Sequence, residues 1–287
     1  MINHPNANEH ITYSKLVWRR YKRHKLAVVS SWVLGIMVLM AIFAPIISPY
    51  NPDALVGRVT SAPSSEHWLG TDQSGRDVLS RLLHGMRISL LVGFLSTGIS
   101  LAIGVTLGLL AGYIGGWIDT LIMRICDMIM SFPYLLLVLV AAAIFRPGMW
   151  TIIIILGLVD WPGVARLIRG NVLNLREQAF VKGSQVAGMP RRYILWSDIL
   201  PNTVAPILIY ATNVMAAAIL DEAALSFLGM GVMPPTASLG NMLNGAESLT
   251  ILTRMPWLWI PPGLVIIILV VAINFIGDAL RDAANPN

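Results

Sequence analysis

Long, uncharged hydrophobic runs alternate along the chain with short polar interruptions, and the runs lack the 3.6-residue alternation of an amphipathic helix. A bilayer core takes about 20 apolar residues of helix. Six runs approach or reach that length: Leu26–Ser48, Ile88–Gly112, Ile118–Phe145, Trp150–Leu167, Val204–Leu220 and Trp257–Ala279. The pattern predicts an all-α integral membrane protein with six transmembrane helices. The first run ends in the helix-stopping "APIISPYNP". It is too long for a signal peptide and lacks a small-residue cleavage site, so it reads as an uncleaved anchor.

Composition sharpens this picture. The chain is 56% hydrophobic and 12% charged, whereas soluble domains carry roughly a quarter charged residues. A water-soluble core could not hide so much apolar surface. The formal charge of +5 resides at the edges of the apolar runs, with no aromatic-interleaved basic stripe. That distribution points to membrane orientation and away from nucleic acid. Lys15, Arg19, Arg20, Lys22, Arg23 and Lys25 precede the first span. With that end cytoplasmic, six spans return the carboxyl end to the cytoplasm, and fourteen of the 20 Lys and Arg residues fall on the cytoplasmic side. The expected plan is a cytoplasmic segment 1–25, a first span 26–48 and an outer loop 49–87. A five-helix core 88–279 with a cytoplasmic loop 168–202 follows, then a tail 280–287.

Within the spans, Gly104, Gly108 and Gly112 recur every fourth residue, with Gly93 and Gly98 before them. Lipid gives helices no hydrophobic reason to associate, so small residues mark a helix interface. Pro133 should kink the third span, either for a gate or for static packing. Asp127 is placed to pair with Arg124 one turn earlier. Asp160 falls near the inner end of the fourth span, and Asp221 and Glu222 close the fifth on the outer side. The latter two either receive the amino group of an arriving peptide or cap and bridge at the interface. His67 and His84 fit either a turn or contact with an imported metal ion, and no Cys or His spacing suggests a resident metal. The single Cys126 excludes an internal disulfide and reads as a packed thiol.

The polar segment between the fourth and fifth runs needs explaining. Counted from Arg166 it is about 35 residues, longer than a connector requires. Apolar residues recur at helical spacing at Phe180, Val181, Val186 and Ala187, then at Tyr193, Ile194, Trp196, Ile199 and Leu200. Gly188 followed by Pro190 stops one helix and restarts another. Two short amphipathic helices with a bend result. Their apolar sides must be buried against the membrane surface, the protein's own spans or a partner.

Here the residues resemble a known family. Gly188, with Leu200 and Pro201 twelve and thirteen residues later, is similar to the "EAA" coupling motif of ABC-importer permeases. The EAA positions read Lys182-Gly183-Ser184, and Asp198 also departs from the usual pattern. "HWLGTDQSGRDVLSRLLHGMRISL" resembles the signature before the second span in permeases of dipeptide, oligopeptide and nickel importers. "ILDEAALSFLGMGVMPPTASLGNML" resembles that family's segment after the fifth span, with Leu239 in place of a common Trp.

The resemblance implies a C-type permease with the type I ABC importer permease fold, in a bacterial inner membrane. It implies a heterodimer with a second permease, two cytoplasmic ATPases that bind ATP and Mg, and an extracytoplasmic substrate-binding protein. The helix around Val181–Gly188 would seat in an ATPase groove, with Arg176, Glu177, Phe180, Val181, Lys182, Gly183, Ser184, Val186, Ala187, Gly188, Leu200 and Pro201 as the coupling residues. Arg176, Lys182, Arg191 and Arg192 would face an acidic rim. The cargo expected is a di- or oligopeptide, with nickel or glutathione as alternatives. The chain has no "GxxxxGK[ST]" phosphate loop and no persuasive nucleophile–base pair, so no catalytic residue is expected in it. A secondary transporter would need inverted repeats with charged residues on broken helices, and that pattern is not evident.

Overall fold

The computed structural model describes residues 18–284. The basic residue Lys15 and the last three residues of the expected tail lie outside them. Among the described residues the chain is helical, and the one β-type pairing is an isolated bridge between Thr71 and Asp77. The principal helices are α1 (Lys25–Ile42), α2 (Val78–Ile114), α3 (Gly116–Met130), α4 (Tyr134–Ile144), α5 (Met149–Arg176), α6 (Ala179–Val186), α7 (Leu200–Phe227) and α8 (Pro256–Ala284). Five are long and apolar enough to cross a membrane, and the bent pair α3–α4 makes a sixth candidate.

The α2–α5 pair is the most extensive in the bundle, and its glycines explain it. A β-carbon on Gly108 would stand 2.6 Å from the carbonyl of Ala165, and one on Gly112 would stand 2.7 Å from Val172 Cβ. Gly104 meets Val164 in the same way, and Gly157 of α5 meets Ile99 of α2. Only a hydrogen in place of a side chain lets the backbones approach this closely. Gly98 has open space around it and takes no part.

These contacts advance in the same direction on both helices, so α2 and α5 run parallel. The chain leaving α2 must therefore travel back along the bundle, roughly 35 Å at 1.5 Å per residue, before α5 can start. That distance is about one bilayer core, so α3 and α4 together form one crossing. They do so with an 86° bend. Instead of kinking a continuous helix, Pro133 ends the break and sits immediately before α4. The residue before a proline is pushed out of the α region, which interrupts the helix at Phe132.

Two spans are longer than their hydrophobic runs. α2 starts at Val78, ten residues before the apolar run, because Asp77 caps it by accepting from Ser80 N at 2.8 Å. α5 continues past Leu167 to Arg176. The charges that seemed to end this span are neutralised across the bundle. Arg169 holds Asp119 of α3 through two hydrogen bonds, at 2.5 and 2.7 Å. Arg166 reaches Asp127 at 2.7 Å, so Asp127 pairs with α5 and not with its neighbour Arg124. The helix accordingly includes the first part of the polar segment counted from Arg166, and ends at Arg176.

Candidate functional site

At the end of the bundle where α2 and α5 finish, Arg176 Nη1 donates to the carbonyl of Gly112 at 3.2 Å. The helix α6 starts three residues later. It is fastened to the bundle by one residue, Val181, which is wholly buried beside Leu109, Ile168, Val172, Ile194 and Ile199. A Schellman motif ends it: Met189 N donates to the Ser184 carbonyl at 3.1 Å, and Gly188 N to that of Gln185 at 3.0 Å. Gly188 has φ +74°, the left-handed region that glycine enters without penalty. The chain then re-enters helix at Arg191 and passes through a π-helical turn, Ile194–Ile199, into α7. Leu200 and Pro201 are the first residues of α7.

Only part of the expected apolar face is covered by this chain. Val181, Ile194 and Ile199 are buried, while Phe180, Tyr193, Trp196 and Met189 are exposed and Val186 is 90% exposed. Gly183, Ala187 and Gly188 are exposed as well, and Ser184 is half-buried. The cations divide too. Lys182 Nζ lies 3.0 Å from Glu177 and Arg176 Nε lies 3.5 Å from it, so these two are partly neutralised within the chain. The hydrogen bond and charge of Lys182 hold the Glu177 carboxyl below its ordinary range. Arg191 and Arg192 are exposed and, among the described residues, carry no ion pair. What remains is an apolar knob, centred on Val186, beside two free guanidinium groups.

The opposite end is built from the loop between α1 and α2 and the α7–α8 connection. His67 is buried and its Nδ1 lies 3.0 Å from Asp77 Oδ1, where it steadies the α2 cap. His84 Nδ1 lies 3.0 Å from its own helix, at the Ser80 carbonyl. Both histidines are thus engaged in local structure. Arg81 is buried and ties the two loops, donating to the carbonyls of Pro52 at 3.3 Å and Pro235 at 3.1 Å, with Asp72 at 3.3 Å.

Asp221 and Glu222, adjacent in sequence, have different surroundings. Glu222 is fully buried, accepting from Ser89 Oγ at 2.5 Å and Ser226 Oγ at 2.7 Å. The same two hydroxyls accept from Leu239 N at 3.3 Å and Val232 N at 2.9 Å. Glu222 therefore fastens the 229–240 loop to α2 and α7. With both oxygens taken inside the protein, it is not an outer-face contact for an arriving solute. Asp221 is only half-buried and points at α4, where Tyr134 Oη donates to it at 2.8 Å. The same hydroxyl lies 3.4 Å from Asp160 Oδ2 of α5. Asp160 lies near the middle of α5 and not at its inner end. Three helices thus converge on one phenol. An intramembrane aspartate was visible in the sequence; its tyrosine partner, brought up by the break at Pro133, was not.

Residues 104–287 match the model of the binding-protein-dependent transport system inner membrane component, and residues 12–64 match the N-terminal transmembrane domain of oligopeptide transport permease C. The chain belongs to this permease family. Over 271 residues it is 41% identical to the dipeptide transport system permease protein DppC of Alkalihalophilus pseudofirmus, spanning 94% of this chain and 88% of that one. It is equally similar, at 41% over 271 residues, to the glutathione transport system permease protein GsiD of Shigella flexneri, spanning 94% of this chain and 89% of that one. Among solved structures, a chain of the MetNI methionine ABC transporter in inward-facing form superposes with a TM-score of 0.60. That superposition covers 72% of this permease and 98% of that chain at 19% identity, and shows the shared type I importer permease fold.

Proposed function

We propose that this permease forms half of the transmembrane pathway of an ATP-driven importer for di- or oligopeptides. A second permease supplies the other half, two cytoplasmic ATPases drive the cycle, and an extracytoplasmic binding protein delivers the cargo. The basic end of the bundle faces the cytoplasm, and both termini lie there. The observation that carries this reading is α6, which one buried valine fastens while its far side is left bare. A surface valine 90% exposed beside Phe180 and Met189 suits a hydrophobic groove on a partner. Arg191 and Arg192 suit an acidic rim around that groove. When ATP draws the two ATPases together, a helix anchored through Val181 to the α2–α5 pair carries the movement into the spans. No ATPase site is needed in this chain.

Peptide cargo is supported by the dipeptide relative. Glutathione, itself a tripeptide, is the second reading, supported by a relative of equal identity. The test is purification of the tagged chain in mild detergent, followed by uptake in proteoliposomes. Recovery of a second permease and ATPases, with ATP-dependent uptake of labelled dipeptide, is expected. Recovery of the chain alone, moving solute without ATP, would sink the reading.

A further inference from the structure

The core of this bundle holds two carboxylates that no basic side chain neutralises among the described residues. Asp160 and Asp221 share the Tyr134 hydroxyl, at 3.4 and 2.8 Å. One hydroxyl carries one proton and can donate fully to one acceptor. The unequal distances assign that proton to Asp221 and leave Asp160 short of a donor. A carboxyl group at membrane depth without a partner either takes up a proton or faces a water-filled cavity or a ligand.

Asp160 lines a cavity, and a second cavity shares Tyr210 with it. A cleft of about 220 Å³ opens at the α3–α4 break, lined by Met130, Tyr134, Asp160, Gly163 and Tyr210. A larger cavity of about 480 Å³ lies towards the basic end, lined by Asn171, Asn202, Tyr210, Asn213 and Arg281 with several apolar residues. Tyr210 belongs to both. Its hydroxyl lies against Gly163, where a β-carbon would collide with it. A track of polar groups therefore follows one side of the bundle, from the amides and Arg281 past Tyr210 to Asp160, with Asp221 joined to it through the Tyr134 hydroxyl.

We propose that this track is the wall this chain contributes to the translocation route. Asp160 and Asp221, joined by Tyr134, hold a primary ammonium group of the passing solute. This rests on the importer reading given above. An ammonium has three donors and a full positive charge, so it supplies Asp160 with what the phenol cannot. In a peptide it comes from the α-amino group or from a lysine side chain.

The test uses the complete importer with its partner subunits. In a Cys126→Ser background, Met130→Cys reports on the cleft and Asn213→Cys on the inner cavity. Each is reacted with a cationic trimethylammonium-ethyl methanethiosulfonate and with the anionic sulfonatoethyl reagent, and each rate is divided by that for a free thiol. At Met130→Cys the cation should be favoured at least tenfold, while Asn213→Cys, in the cavity lined by Arg281, reports whether the inner cavity is open to either reagent. Asp160→Asn with Asp221→Asn should bring the ratio at Met130→Cys within twofold of unity. Absence of reaction at both positions, or a ratio that the double substitution leaves unmoved, overturns the proposal. If the double variant does not co-purify with its partners, each single Asp→Asn variant is read instead. A threefold fall then supports the proposal, and an unchanged ratio refutes it.

Uptake separates the two sources of ammonium. Alanyl-alanine offers only an α-amino group, and Nα-acetyl-lysyl-alanine only a side-chain one. A tenfold loss for either probe in the double variant assigns that source, and a loss for neither overturns the ammonium assignment. The labelling ratio needs no transported solute, so an importer that carries no peptide would refute the cargo reading alone.

Discussion

Ser89 on α2 donates to Glu222 on α7 at 2.5 Å, and both side chains are shut off from solvent. This contact, with Ser226 on the other oxygen at 2.7 Å, holds the 229–240 loop down on the bundle through the Leu239 and Val232 amides. Replacing Glu222 by Ala would leave two buried serines short of a partner, at a cost of about 2–3 kcal/mol. Thermal unfolding followed by the reaction of the buried Cys126 thiol with a fluorogenic maleimide should show a fall of several degrees. Ser226→Ala should reproduce part of it. An unchanged transition in Glu222→Ala would mean that the loop is held by other contacts.

The glycine face of α2 gives a sharper contrast. Gly108→Ala puts a methyl group 2.6 Å from the Ala165 carbonyl, and Gly98→Ala puts the same methyl into open space. The first should cost about 1–3 kcal/mol through forced separation of α2 and α5. The second should remain within about 0.5 kcal/mol of the parent. The same thermal assay compares them, and equal effects would remove close backbone contact as the basis of the α2–α5 pair.

These two cases also mark how far the sequence could be read. The four-residue glycine spacing of Gly104, Gly108 and Gly112 identified an interface because helical periodicity is a local property. Gly188 with Pro190 located the bend after α6 for the same reason. Charge was the poorer guide. Arg166 and Arg169 read as the end of a span, yet α5 runs on to Arg176 because their partners, Asp127 and Asp119, come from another helix. Pairing across 39 and 50 residues leaves no mark on local pattern. Glu222 and Asp221 looked alike in sequence and differ in the fold, because successive residues on a helix face about 100° apart. The meeting of Tyr134 with Asp160 and Asp221 depends on an 86° bend, and the proline foretold a distortion without its angle.

The Asp119–Arg169 pair should be worth measuring as a cycle. It makes two hydrogen bonds and neither side chain is more than about a third exposed, so it belongs with the stronger charge-assisted pairs. Asp119→Asn and Arg169→Gln singly should each destabilise the permease. The double variant should lose less than the sum, with a coupling of about 1 kcal/mol. Strict additivity would show that this pair adds nothing to the hold of α3 on α5, which is then left to the packing of Ile122 and Cys126 and to the Arg166–Asp127 pair.

Two valines of α6 test whether its exposed side is a docking face. Val181 is buried and Val186 is 90% exposed, five residues away on the same short helix. Val181→Ala empties an anchor in the core and should destabilise the chain by about 1–3 kcal/mol. Val186→Asp touches nothing in this chain, so its unfolding transition should remain within about 0.5 kcal/mol of the parent. Its association with the ATPase should nevertheless fall by about thirtyfold or more, the loss typical of a central interface residue. Gly188→Ala should lie between them, because the left-handed backbone costs roughly 1–2 kcal/mol for a residue with a β-carbon and tilts α6 at its exit. Co-purification of the ATPase at graded detergent-solubilised concentrations, beside the thermal transition, gives both quantities. If Val186→Asp keeps full ATPase association, then the bare side of α6 faces lipid or solvent, and the motor must grip this permease elsewhere.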